Sequence, residues 1–139
     1  MTATNHALTG AIIGLVVAQP ALALPAALLS HFVLDTIPHF KTSVPDKIAY
    51  KTKAYRNYLI GEALLCFLLV LTLVIKQPFH WWVAAICAFL AASPDLYHYR
   101  YFIILRNDKR WRPNLFERFS SRIQWFERPI GAVVEVAWA

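Results

Sequence analysis

Three side chains that commonly bind metal ions recur at four-residue intervals in SHFVLDTIPHF, residues 30–40. They are His31, Asp35 and His39, and this spacing places them on one stripe of an α-helix. A straight helix would hold the two histidines about 12 Å apart, which is too far for one shared ion. Pro38 is expected to end or bend the helix before His39, and two ions about 3.5 to 4 Å apart would also remove this difficulty.

A second segment with a candidate ligand lies near the start of the sequence. His6 begins a row with Gly10 and Gly14, in which each residue follows the previous one by four positions. Small residues at this spacing let a neighbouring helix approach closely. We therefore expect His6 to face another helix rather than the surroundings.

The third segment is SPDLYH, residues 93–98. Asp95 and His98 are three positions apart and share a helix face. Pro94 is expected to kink the helix or to begin the turn that carries them, with Ser93 as its cap. This segment therefore contributes two further candidate ligands.

The composition indicates a membrane protein. Hydrophobic residues make up 58% of the 139 residues and charged residues only 16%, a balance that is unusual for a soluble domain. A spanning helix needs roughly 17 to 25 mostly apolar residues. Four segments meet or approach that length, so the sequence predicts an all-α bundle of about four transmembrane helices, at residues 3–19, 21–37, 58–75 and 79–97.

The basic residues predict how this bundle is oriented. The net charge is +6, and the Lys and Arg residues concentrate between the second and third segments and after the fourth. Because basic loops stay in the cytoplasm, we expect a multi-pass protein of the inner (plasma) membrane with both termini cytoplasmic. The charge also suits anionic lipid head groups. Nucleic acid is not an expected partner, since the charge follows the membrane boundary and no recognition motif accompanies it.

This topology brings the candidate residues to one membrane depth, near the cytoplasmic surface. Glu62, about one turn into the third segment, joins them, whereas His80 lies on the opposite side. A structural polar network is the alternative, but ionisable residues inside membrane segments are costly and are functional by default. The sequence therefore predicts a metal site with the ligands His6, His31, Asp35, His39, Asp95 and His98.

The segments NHALTGAIIG, LLSHFVLDTIPHF and SPDLYH resemble those of small bacterial and archaeal membrane proteins described as membrane-bound metal-dependent hydrolases. The resemblance covers roughly the first hundred residues, and the middle motif is its most specific part. It implies that the same six residues are the metal ligands. The His-x-x-x-Asp elements are also distantly similar to those of zinc-dependent phospholipases.

The ligand types indicate the chemistry. A mixture of imidazole and carboxylate suits zinc, manganese or iron better than calcium. One ion or a pair can activate water and hold a phosphoryl oxygen, and nearby Lys and Arg side chains would hold a phosphate. We therefore expect a metal-dependent hydrolase of a lipid or lipid-linked phosphoester, with Asp35 and Glu62 as candidates for the general base. A non-catalytic metal- or proton-binding protein, such as a transport subunit or scaffold, is the alternative.

The chain divides into a transmembrane metal-site domain, residues 1–99, and a basic amphipathic tail, residues 100–139. Within residues 114–128, apolar and basic side chains are predicted to occupy different faces of a helix, which suits a helix lying on anionic lipid. Packing against the basic loop is the alternative. The last stretch, residues 129–139, is too short to span a membrane. It fits either a half-buried segment or a contact in a homo-oligomer.

Single cysteines introduced at positions 50, 78 and 110 test this topology. In a background without the native cysteines, positions 50 and 110 should be labelled only from the cytoplasmic side, because both lie in basic stretches. Position 78 should be labelled from outside intact cells. Labelling of position 50 from outside would reject both the orientation and a cytoplasmic site.

Overall fold

The chain is mainly helical in the part that the computed structural model describes, which is residues 1–107 and 112–139 without the side chains of residues 47, 98–101, 105 and 106. The described residues form no strand, but His39 and Glu127 make an isolated parallel bridge. The predicted all-α class is therefore confirmed. The helices are α1 (Ala3–Val17), α2 (Pro20–Asp35), α3 (Asp46–Ala49), α4 (Lys53–Lys76), α5 (Trp81–Arg106), α6 (Leu115–Ile123) and α7 (Gly131–Trp138).

The ends of α1 and α2 follow from local sequence signals. The Thr2 side chain caps α1 by accepting a hydrogen bond from the backbone of Asn5, as a threonine in this position commonly does. Pro20 occupies the first turn of α2, where its missing N–H is not needed. The helix ends at Asp35, as expected ahead of Pro38.

Pro94 lies inside a continuous α5 rather than at the start of a new helical turn. A proline cannot donate the helical hydrogen bond to the carbonyl four residues earlier, which here belongs to Leu90. The Ser93 hydroxyl donates to this carbonyl at 2.9 Å. Ser93 therefore compensates for the proline within the helix and does not cap a helix start, contrary to the sequence prediction.

Small side chains hold α1, α2 and α5 together. On α1, a Cβ atom at Gly10 would lie 2.3 Å from the Cys87 carbonyl oxygen, and one at Gly14 would lie 2.5 Å from the Ala84 Cα. On α2, Ala23 and Ala27 are fully buried and pack with Cys87 and Ala91 of the same stretch of α5. The predicted close approach of a helix to the glycine row of α1 is thus observed, and the neighbour is α5.

Large apolar side chains lie mainly on the outside, most clearly along α4. Leu73 is the one residue of this helix that is buried, while Phe67 and Leu68 are more than half exposed. Among the described residues, α4 is the one helix long and apolar enough to cross a membrane. The helices α1 and α2 have 15 and 16 residues and extend only about 23 Å, against about 30 Å of hydrocarbon core.

The tail contains the predicted amphipathic helix as α6, residues Leu115–Ile123, which begins with a capping box formed by Asn114 and Glu117. Its Glu117 and Ser120 side chains are buried towards the bundle, whereas Leu115 and Phe119 are exposed. The exposed apolar residues suit a lipid surface, and binding of α6 to the membrane stays a prediction.

Gly10→Ala tests the close contact between α1 and α5. The added methyl group would overlap the Cys87 carbonyl, so the free energy of unfolding should fall by about 1–3 kcal/mol. Gly61→Ala is the matched control, because a Cβ atom there meets nothing within 4 Å, and it should stabilise α4 by up to about 1 kcal/mol. Thermal unfolding in detergent micelles, followed by circular dichroism, measures both. A stabilised Gly10→Ala protein would contradict the packing described here.

Candidate metal centre

Three of the predicted ligands come together where α1 begins and α2 ends, against the second half of α5. One ligand atom from each of His6, His31 and Asp95 can be chosen so that all three lie within 4.8 Å of one another. We call these three residues the metal cluster. They come from three different helices, and they could hold a metal ion.

The two imidazole rings of the cluster are buried and stacked. The ring centroids of His6 and His31 are 3.9 Å apart, with an angle of 27° between the ring planes. Both side chains are fully buried. This arrangement depends on α1 and α2 both packing against α5 through small residues.

A backbone carbonyl sets the orientation of His31. Its Nδ1 lies 2.8 Å from the carbonyl oxygen of Ala91 in α5. Because a carbonyl oxygen can only accept, Nδ1 must carry the proton, and Nε2 then presents a lone pair in the neutral ring. Metal-ligating histidines usually have their second nitrogen fixed in this way. The geometry of His31 is therefore that of a ligand binding through Nε2.

Asp35 lies at the Nε2 edge of both stacked rings and has four polar neighbours. Its Oδ1 is 3.2 Å from His6 Nε2, and its Oδ2 is 3.4 Å from His31 Nε2. The Gln124 side-chain amide donates to Oδ2 at 2.9 Å, and the amino group of Met1 lies 2.8 Å from Oδ1. The carboxylate is thus held in place beside the metal cluster.

The donor set fits a divalent cation. Both ring nitrogens of His6 and Nε2 of His31 are buried, and none of them makes a hydrogen bond. Leaving such groups unsatisfied costs about 1–3 kcal/mol each. Atoms bound tetrahedrally to zinc at about 2 Å lie about 3.3 Å from one another, close to the two separations at Asp35 and below the 4.0 Å between His31 Nε2 and Asp95 Oδ1. The two carboxylates would also balance the charge of the ion.

His39 is a predicted ligand that the structure places in other contacts. Because α2 ends at Asp35, the chain turns before His39, whose Nδ1 lies 2.8 Å from the Ile37 carbonyl and whose Nε2 is 3.5 Å from Glu127 Oε1. Lys41 also pairs with Glu127. Burial raises the pKa of Glu127, but the hydrogen bonds and charges of His39 and Lys41 outweigh this and keep its pKa below the usual range. This group therefore ties the tail to the segment after α2.

Glu62 has a structural contact of its own. Its Oε2 accepts hydrogen bonds from the backbone N–H of Thr4 at 2.9 Å and from the Thr4 hydroxyl at 2.8 Å. A carboxylate at the first turn of a helix also interacts favourably with the helix dipole. Glu62 thus fastens α4 to the start of α1. The catalytic roles of Glu62 and Asp35 stay predictions.

The two remaining histidines are His80 and His98. His98 belongs to α5, but its side chain lies outside the described residues. His80 precedes α5 with a backbone φ of 63°, at the end of that helix opposite to Asp95. Its predicted separation from the ligand group is therefore observed.

Sequence reasoning missed two groups at this site. Gln124 lies in the tail, 89 residues after the aspartate to which it donates, and its local sequence contains no signal for this contact. The Ala91 carbonyl could have been suspected, because Pro94 disturbs the hydrogen bonding of the preceding helical turn. The tail, predicted as a separate unit of residues 100–139, thus contributes directly to the surroundings of the metal cluster.

No family model matches the chain, and no curated protein or solved structure shows significant similarity to it. Membership of the hydrolase family suggested by the three motifs therefore stays a prediction.

Measurements of bound metal distinguish the six ligands predicted from the sequence from the metal cluster seen in the structure. Elemental analysis of purified protein should show that His31→Ala and Asp35→Ala lose the bound ion, since each removes a group at its centre. His39→Ala should retain it, because this side chain contacts Glu127 instead. Gln124→Leu removes the donor to Asp35 and should weaken binding about 10- to 100-fold.

His80→Ala is the control, and it should bind as much metal as the wild type. If His39→Ala loses as much metal as His31→Ala, His39 belongs to the site after all. Equal metal in the wild type and in His31→Ala would reject the site.

Proposed function

We propose that this chain is a membrane-embedded, metal-dependent hydrolase that cleaves a lipid or lipid-linked phosphoester at the cytoplasmic face of the inner membrane. The observation that carries the proposal is the convergence of the buried imidazoles of His6 and His31 with the carboxylates of Asp35 and Asp95. Zinc suits this mixture of nitrogen and oxygen donors, with manganese or iron as alternatives.

The distribution of side-chain sizes supports a location in the membrane. Alanine and glycine pack between α1, α2 and α5, while large apolar residues lie outside. Membrane helices associate through small residues in this way, because lipid surrounds their outer faces. The basic loop and tail support the proposed orientation with both termini in the cytoplasm.

The unequal burial of the carboxylates supports a catalytic centre over a purely structural one. The side chain of Asp35 is 1% exposed, whereas that of Asp95 is 30% exposed. Catalytic metal sites keep one coordination position open to water or substrate, whereas structural sites are closed. The cluster is therefore accessible on the Asp95 side, and a substrate would approach from there.

The bound ion would supply an activated water and would polarise the phosphoryl oxygen. His6 and His31 would hold it, and Asp95 would complete the ligand set at the open side. Asp35, which faces the Nε2 atoms of both imidazoles, would either help to hold the ion or accept a proton. Glu62 is the other candidate for the proton acceptor, since it comes from α4 and is absent from the metal cluster.

Glu62→Gln tests the proton-transfer role. Glutamine keeps an oxygen that can accept from Thr4, so the fold and the metal should survive, while phosphoester hydrolysis should fall about 100-fold or more. Thr4→Val is the matched control, because it removes the hydroxyl that Glu62 contacts and leaves the carboxylate intact. It should keep most of the activity.

Three outcomes would change these conclusions. Loss of metal in Glu62→Gln would make Glu62 a ligand, and an equal loss of activity in Thr4→Val would reduce Glu62 to a structural contact. If the metal-loaded wild type hydrolyses no member of a broad panel of lipid phosphoesters, the non-catalytic binding function is the better one.

A further inference from the structure

An apolar groove of about 610 Å³ lies between α1, α4 and α5. Its volume is typical of a site for a small molecule. Glu62, Ser93 and Asp95 contribute polar groups to a lining that is otherwise mainly apolar and aromatic. Its apolar walls include Ala7, Leu59, Ala63, Cys66, Val70 and Ala92.

The groove reaches the metal cluster through Asp95, which belongs to both. This is also the partly exposed carboxylate of the site. A molecule lying in the groove would therefore have one end beside the open position of the metal centre.

The rim of the groove is strongly apolar. Phe67, Phe89 and Leu96 are among its lining residues, and they are 61%, 61% and 63% exposed. In the membrane orientation proposed above, these side chains contact lipid tails rather than water. A hydrocarbon chain could then enter the groove sideways from the bilayer without crossing a polar surface.

A second cavity, of about 680 Å³, adjoins the groove, and Tyr50 and Tyr55 line both. Its lining is more polar and includes Lys41, Gln124 and Glu127. Gln124 is the residue that donates to Asp35. An apolar space and a more polar space thus adjoin at Tyr50 and Tyr55, and the apolar one extends to Asp95, so that the two spaces suit the two ends of an amphiphile.

We propose that the groove between α1, α4 and α5 binds a hydrocarbon chain of an amphiphilic phosphoester substrate, with the phosphoryl group beside Asp95 and the polar remainder in the second cavity. This inference rests on the proposed function and adds the substrate class and its direction of approach. The substrate would then enter from the bilayer and would not be a water-soluble phosphoester.

Hexadecylphosphonate is a suitable probe, because its carbon–phosphorus bond resists phosphoester hydrolysis and its chain can be shortened. Native mass spectrometry of the protein released from micelles should show one bound hexadecylphosphonate and little butylphosphonate. Ala63→Phe places an aromatic ring in the groove, so affinity for the long-chain probe should fall about tenfold or more. Its metal content should be unchanged.

Gly61→Phe is the matched control, with the same ring added on the same helix at a position where a new Cβ atom meets open space. It should bind the probe as the wild type does. Wild-type affinity in Ala63→Phe, an equal loss in Gly61→Phe, or equal binding of both chain lengths by the wild type would overturn the proposal.

His31→Ala distinguishes failure of the groove from failure of the proposed function. It should lose metal and retain the preference for the long chain, because the groove walls are intact. Chain-dependent binding by a wild type that hydrolyses nothing would leave the groove in place and remove the hydrolase. The opposite result is that Ala63→Phe hydrolyses water-soluble phosphoesters at an undiminished rate and binds the probe unchanged. That result would leave the hydrolase in place and remove the groove as the binding site of the hydrocarbon chain.

Discussion

The backbone contact between α1 and α5 is the constraint on which the site depends. At Gly10 the two helices are so close that even a methyl group would overlap the carbonyl of Cys87. This contact fixes the position of His6, one turn earlier on α1, along the axis of α5. Since α2 packs on the same stretch of α5 through Ala23 and Ala27, His31 reaches the same point and the two rings stack. A wider spacing between the helices would separate the donors of the metal cluster.

Pro94 contributes to this arrangement through the backbone it disturbs. A proline in a helix removes one hydrogen bond and pushes on the preceding turn, and two polar side chains here serve carbonyls of that turn. Ser93 donates to Leu90, and His31 donates to Ala91. The second bond fixes the orientation of the His31 ring, so that its Nε2 atom is directed towards Asp35 and Asp95.

The sequence predicted the helices better than it predicted the ligand set. Apolar runs and the Gly10–Gly14 row were sufficient for the all-α class and for the close approach of another helix to α1, because both depend on local patterns. The spacing of His31, Asp35 and His39 also suggested a single stripe, but that argument holds only while the helix continues. The helix ends at Asp35, so His39 follows the chain away towards Glu127. Gln124 could not be foreseen, because its contact with Asp35 is set by the docking of the tail.

The attachment of α4 explains why a groove can exist beside a closely packed core. Near its start, α4 is joined to α1 by the hydrogen bonds between Glu62 and Thr4, and near its end Leu73 is buried in the core. Neither contact requires the small residues that bring α1 and α5 together, and the larger side chains of α4 keep it farther away. The helix that is best suited to the bilayer by length and composition is therefore also the one that leaves space against its neighbours. An open apolar space beside a closed polar cluster follows from this difference in packing, and the two meet at Asp95.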